Sequence, residues 1–279
     1  MLIPIELRQD RSLVPASMGL STRRDLDRLT LSPGRLLSRG ELDRFCKLPS
    51  AVRRTSYLLG RHAVKQAIGH LLDEPDLSRM EILSGTFSQP VLKYVCDAPP
   101  EISLTHSQGL GLGMAAEQGY PIGMDLECID PGRTDALRGC FSTKESDMAR
   151  QTGLPEESSL FVLWTIKESL SKVLKCGLTV PLEILAIKSI LPGGHGEYVS
   201  QFANFAQYQA RSWLFGSHAF SIVLSKRMEV RFRPPASAFA SGHGNPPCGV
   251  GRGLEMEPGA STGFEEPADL RNAGSHDDT

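Results

Sequence analysis

Pro121-Ile122-Gly123-Met124-Asp125-Leu126-Glu127-Cys128 alternates with a period of two. Ile122, Met124 and Leu126 fall on one face, and Gly123, Asp125 and Glu127 on the other. That pattern is a strand with one apolar side. Gly119-Tyr120-Pro121 turns the chain into it. Upstream, Ile102-Ser103-Leu104 predicts a strand ending at Thr105-His106-Ser107, and Leu110–Ala116 another. Residues 50–72 predict a helix with Ser50 as N-cap, because Leu58, Leu59, Ala63, Ala67, Ile68, Leu71 and Leu72 recur at helical spacing. A strand begins at Glu81. Downstream, Ser142-Thr143-Lys144-Glu145 is a capping box that opens a short helix. A longer helix is expected from about Pro155 to Cys176, with Gly177 at its C′ position. Leu182–Ile190 and Ala219–Leu224 complete the strands. Glu81-Ile82-Leu83 returns as Glu183-Ile184-Leu185, an offset of 102 residues that fits an internal duplication. The expected fold is α+β: two similar halves, 1–119 and 120–232, with the active site between them.

The chain has 279 residues, 30 Lys+Arg against 32 Asp+Glu, and a formal net charge of −2. That balance argues against a general nucleic-acid binder and a polybasic membrane protein. The charge is unevenly spread. Residues 233–279 hold 3 basic and 7 acidic groups with 8 Gly and 6 Pro, which leaves 1–232 with a net charge of +2. With only six large apolar residues, this acidic tail cannot offset its ordering entropy and is expected to be disordered. No signal peptide or membrane span is expected. The six cysteines lack C-x-x-C or zinc spacing, so reduced thiols in a cytoplasmic protein are expected, and the chain is expected to be a monomer.

Asp125 and Glu127 are two carboxylates on one strand face, rooted about 7 Å apart. They could converge on a hard cation such as magnesium, which takes oxygen ligands. A bare D-x-E is more often a pair of solvated charges on an exposed face. In Trp164-Thr165-Ile166-Lys167-Glu168-Ser169-Leu170-Ser171-Lys172, Glu168 and Lys172 share one helical face. They make either a surface ion pair or a third metal carboxylate with a cation one turn away. His106 stands at a strand end, where ligand contacts are common, although a lone histidine is more often structural. Gly109-Leu110-Gly111-Leu112-Gly113 is not a dinucleotide fingerprint, because Met114 stands where the third glycine belongs.

Taken in order, these segments resemble one family. Thr105-His106-Ser107, Pro121–Glu127, Phe141-Ser142 with Glu145, Trp164-x-x-Lys167-Glu168-Ser169-x-x-Lys172, Gly177-Leu178 and Pro181-Leu182 are similar to the 4′-phosphopantetheinyl transferases of the larger, two-half type. Leu58-Leu59-Gly60-Arg61 with Lys65 resembles that family's first-half helix. The resemblance covers roughly residues 40–225. It implies transfer of phosphopantetheine from coenzyme A to a serine of an apo acyl or peptidyl carrier protein, as in holo-(acyl-carrier-protein) synthases. Adenosine 3′,5′-bisphosphate is the other product. It implies Mg²⁺ held by Asp125, Glu127 and Glu168, with Glu168 as base and Lys172 on the leaving phosphate. His106, Ser107, Arg61 and Lys65 are the implied coenzyme A contacts, though for Arg61 and Lys65 a solvated helix face competes. The chain departs from the family pattern at Ser88-Gln89-Pro90, where the family has Gly-Lys-Pro, and at Lys175-Cys176-Gly177, where it has Gly-Lys-Gly. Lys93 is near the missing lysine but off register. The basic run Arg35, Arg39, Arg44 is interrupted by Glu41 and Asp43. These changes keep open a non-catalytic homologue that binds coenzyme A or carrier proteins. The carboxylates alone would also serve an unrelated Mg²⁺-dependent phosphate-ester enzyme.

Overall fold

The computed structural model of the chain describes residues 1–232 apart from 195. The acidic tail expected from residue 233 lies outside the described residues. The first half contains β1 (Leu2–Ile3), β2 (Ile5–Gln9), β3 (Ser12–Val14), β4 (Ala16–Thr22), α1 (Leu26–Leu31), α2 (Arg39–Cys46), α3 (Ala51–Leu72), β5 (Glu81–Ser84), β6 (Pro90–Lys93), β7 (Glu101–Ser107) and β8 (Leu110–Ala116). The second contains β9 (Gly123–Cys128), α4 (Thr134–Arg138), α5 (Thr143–Gln151), α6 (Glu156–Val173), β10 (Ile187–Pro192), β11 (Glu197–Phe202), β12 (Tyr208–Phe215), β13 (His218–Ser225) and β14 (Met228–Phe232). The fold is α+β, and among the described residues the strand pairs of all four sheets are antiparallel.

Two sheets dominate, ordered β1-β4-β8-β7 and β10-β11-β12-β13-β9. The long helix α3 packs on the first and α6 on the second. On the other side, one apolar layer is shared by Met18, Leu20, Leu112 and Met114 with Met124, Leu126, Phe220 and Ile222. Small residues permit the close helix–sheet approach. A Cβ on Gly19 of β4 would stand 2.1 Å from the Ala63 carbonyl oxygen in α3, and one on Gly123 of β9 2.1 Å from that of Ser169 in α6. The last strand, β14, pairs with β2 and so returns the chain to its beginning. Among the described residues no helix is long and apolar enough to cross a membrane.

The same side-chain arrangement occurs twice, once before and once after residue 120. Ser38 and Ser142 each begin a capping box, with Glu41 and Glu145 at N3. Glu41 Oε1 accepts from the Ile82 N–H at 3.1 Å, and Glu145 Oε1 from the Ile187 N–H at 3.0 Å. Lys65 of α3 pairs with Glu41, and Lys167 of α6 with Glu145 at 2.9 Å. The tripeptide that signalled the repeat in sequence is not the equivalent segment. Residues 182–185 form turns, and the second-half counterpart of Ile82 is Ile187. The strand expected over Leu182–Ile190 therefore begins only at Ile187.

The two large sheets lie side by side along β7 and β9, and the numbering of their partners advances together, so the two strands run parallel. Hydroxyls bridge them in place of a main-chain ladder. The N–H groups of Met124, Leu126 and Cys128 donate to Ser103 Oγ (3.0 Å), Thr105 Oγ1 (3.3 Å) and Ser107 Oγ (2.9 Å). This seam places the ends of both halves around one cleft.

Candidate active site

β9 turns Asp125 toward α6. Asp125 is buried at 4% exposure. Its Oδ1 accepts from Lys172 Nζ at 2.7 Å and from Thr105 Oγ1 at 2.9 Å. Its Oδ2 is also buried and has no hydrogen-bond partner among the described residues. Lys172 Nζ donates in addition to the Met124 carbonyl at 3.0 Å. Glu127, on the same face, accepts from Arg133 at 3.1 Å, and the Arg133 guanidinium lies 5.4 Å above the Phe161 ring.

The electrostatics follow from crowding three carboxylates beside one ammonium. Burial raises the Glu168 pKa to about 7, helped by the Asp125 and Glu127 charges and opposed by Lys172. Glu127 moves upward for the same reasons, burial first and Asp125 second, with Arg133 opposing. Burial disfavours the Lys172 ammonium, but Asp125 and Glu168 outweigh it, and the Lys172 pKa rises. His106 is lowered by the protein packed around its ring and by the Lys172 charge.

A cavity of about 230 Å³ adjoins this cluster, between the C-terminal end of α6 and the β5–β6 hairpin. Glu168, Lys172, Lys175, Arg61, Ser88 and Gln89 line it. Thus Arg61 reaches the cleft, although its Nε lies 3.2 Å from Glu41 Oε1 and its guanidinium sits over Tyr57 at 4.7 Å. Gln89 folds back on its own turn, accepting from the Phe87 N–H at 2.9 Å. Lys93 instead donates to Glu81 at 3.4 Å.

Two expected contacts are placed differently. Lys65 is fully buried, with Nζ bonded to Glu41 and to the Leu36 carbonyl at 2.8 Å. It is a structural cation and out of reach of any ligand, because its helix face packs inward against α2. The Ser107 hydroxyl accepts the Cys128 N–H in the seam, so its lone pairs are partly committed to joining the halves.

Sequence reasoning passed over Thr105, whose hydroxyl both donates to Asp125 and accepts from Leu126. Its signal was the hydroxyl at every second position, Ser103, Thr105 and Ser107. Thr105→Val keeps the shape and removes both bonds. It should cost about 1–3 kcal/mol, the penalty for stranding buried polar partners. Thr105→Ser should retain most of that stability, and urea unfolding of the two variants checks the difference.

Residues 121–224 match the family model of the 4'-phosphopantetheinyl transferase superfamily. A 4'-phosphopantetheinyl transferase from Bacillus subtilis is 29% identical over 177 residues, covering 58% of this chain and 79% of that protein. The crystal structure of a holo-(acyl-carrier-protein) synthase from Bacillus anthracis str. Ames in complex with CoA (3',5'-ADP) aligns with 43% of this chain and 99% of that one. Its 17% identity and TM-score of 0.33 carry no residue assignment. The superfamily segment holds Asp125, Glu127, Glu168 and Lys172. Arg61, Thr105 and His106 precede it, and the seam and the cleft bring them to the same place.

Proposed function

We propose that the chain is a 4′-phosphopantetheinyl transferase that moves the phosphopantetheine of coenzyme A onto a serine of an apo acyl or peptidyl carrier protein. The reaction depends on Mg²⁺, releases adenosine 3′,5′-bisphosphate and is carried out by a cytoplasmic monomer. One observation carries this reading: inside the superfamily segment, a buried carboxylate oxygen without a partner, Asp125 Oδ2, lies in a cluster with Glu127, Glu168 and Lys172.

The residues present fit a magnesium ion. Asp125 Oδ2 awaits a partner, and burial and mutual repulsion hold Glu127 and Glu168 above the ordinary carboxylate range. Among the described residues no three Asp, Glu, His or Cys side chains form a ready-made metal cage. An ion bound here would have to complete its shell with waters and substrate phosphate oxygens. When bound by Asp125, Glu127 and Glu168, it would neutralise charge on the diphosphate.

The protein groups supply the rest. A serine hydroxyl is a weak nucleophile and needs a base. Glu168, buried beside Asp125 and Lys172, is the base in this reading, directly or through a water held in the cluster. The serine oxygen then bonds to the phosphorus on the pantetheine side, and the bond from that phosphorus to the bridging oxygen breaks. The bridging oxygen leaves as part of adenosine 3′,5′-bisphosphate. Lys172 uses two donors on Asp125 and the Met124 carbonyl. Its third N–H remains for the departing phosphate. In phosphoryl transfer such positioning and charge neutralisation supply most of the catalysis.

Incubation with coenzyme A, Mg²⁺ and a panel of apo carriers should yield a carrier heavier by one phosphopantetheinyl group by mass spectrometry. No gain on any acyl or peptidyl carrier overturns the reading. Metal binding should also follow pH. A cation must displace the Glu168 proton below pH 7, so Mg²⁺ affinity should weaken as pH falls from 8 to 6. The measurement is the Mg²⁺ concentration needed for half-maximal thermal stabilisation. An unchanged midpoint at the two pH values counts against Glu168 as a ligand.

A further inference from the structure

The C-terminus of α6 closes in a Schellman motif. The Lys175 N–H donates to the Lys172 carbonyl at 3.2 Å, and the Cys176 N–H to that of Ser171 at 3.1 Å. This makes Lys175 the C′ residue, with φ +55°. Glycine is the usual occupant there, because a Cβ is strained in the left-handed region. Gly177, expected at C′ from the sequence, lies two residues further on. Across the cavity, Ser88 at the tip of the β5–β6 turn is also left-handed, with φ +62°. The two turns touch: a Cβ on Gly177 would stand 3.2 Å from the Phe87 carbonyl oxygen. Two non-glycine residues in strained conformations therefore line one cavity, and such strain concentrates where a ligand is held.

The cavity's cations differ in how firmly they are committed. Arg61 is held by Glu41 and Tyr57, and Lys172 by Asp125. Lys175 has a half-exposed ion pair with Glu101 at 3.0 Å, a weak tie of the kind that solvent screens. A multiply charged phosphate entering the cavity would compete well for that ammonium. Opposite it stands Gln89, which contributes no charge.

We propose that Lys175 is a ligand-binding residue, whose ammonium leaves Glu101 to engage a phosphate of coenzyme A at the mouth of this cavity. The proposal rests on the transferase reading for the identity of the ligand. It also explains the strain: a lysine at C′ exchanges helix-end stability for a phosphate contact that glycine could not make.

The test is calorimetric titration of coenzyme A into the full chain in Mg²⁺ buffer, with melting temperatures measured in parallel. Lys175→Gly should bind coenzyme A about tenfold more weakly, a loss of about 1.4 kcal/mol. It should nevertheless melt about 2–4 °C higher, because the left-handed strain is relieved. Lys175→Arg should bind within about threefold of the parent, as expected for another cation at a phosphate. Glu101→Gln, which frees the ammonium, should bind equally or more tightly. Unchanged affinity in Lys175→Gly overturns the proposal. So does a loss in Glu101→Gln as large as in Lys175→Gly, since the ion pair itself would then be what matters. A parent chain that does not bind coenzyme A overturns both this proposal and the transferase reading. A parent that binds it but modifies no carrier overturns the transferase reading alone, and the Lys175 variants still decide the phosphate contact.

Discussion

Replacing Glu168 by glutamine should reduce transfer by about 10²–10⁴-fold, the usual worth of a general base, and yet raise the melting temperature of the metal-free protein at pH 8. The Glu168 pKa stands near 7 in the folded chain against an ordinary 4.5, because burial and the Asp125 charge disfavour the carboxylate. An acid whose folded pKa is raised favours folding while protonated. That contribution is fully present below pH 4.5 and is lost as pH rises through 7. At pH 8 the ionised group costs about 3 kcal/mol relative to a neutral one. Glutamine is neutral at every pH and nearly isosteric, so it recovers part of that cost, worth several degrees of melting temperature. At pH 5 both side chains are largely uncharged in the folded state, and the two proteins should melt closer together. A variant no more stable than the parent at pH 8 would show that the carboxylate is not strained by its neighbours. Saturating Mg²⁺ should reverse the order, stabilising the parent and leaving the variant little changed.

How much of this was legible in the sequence depended on whether a residue's environment is local. Asp125 and Glu127 could be placed on one face because strand alternation is a property of neighbouring residues. Glu168 and Lys172 followed from helical spacing, and the Ser142–Glu145 capping box from a four-residue pattern; both appear as expected. β4 was not visible. Ala16–Thr22 is almost wholly buried, covered by α3 on one side and by the shared apolar layer on the other. Met18 and Leu20 alternate with Ser17, Gly19 and Ser21, but the small residues that let α3 approach mark that second face only weakly. The seam was hidden for another reason. Hydroxyls at Ser103, Thr105 and Ser107 look like an exposed polar face until β9, some twenty residues away, is laid beside them. The C′ position of α6 was misjudged because glycine is the better C′ residue, and Gly177, also left-handed, was available two positions on.

Lys65 shows the same limit and leads to the second large effect. A lysine on a helix with Arg53, Arg54 and Arg61 reads as part of a basic face, but α2 and the Ile82 N–H enclose it with Glu41. Burial pulls the Lys65 pKa down and the Glu41 charge pulls it up, with burial the stronger. Removing one member of such a pair leaves a buried charge without its counterion, typically a loss of about 3–5 kcal/mol. The two mirrored pairs should not respond equally. Lys65→Met leaves Glu41 with Arg61 Nε still 3.2 Å away. Lys167→Met leaves Glu145 with the N–H groups of Ile187 and Ser142, and among the described residues no second cation pairs with it. Lys167→Met should therefore lose the full range in urea unfolding, and Lys65→Met distinctly less. Lys65→Met that folds should bind coenzyme A as the parent does, because its ammonium never faces the cleft. A stable Lys65→Met protein with a tenfold weaker coenzyme A affinity would return Lys65 to the binding surface and contradict the enclosed pair.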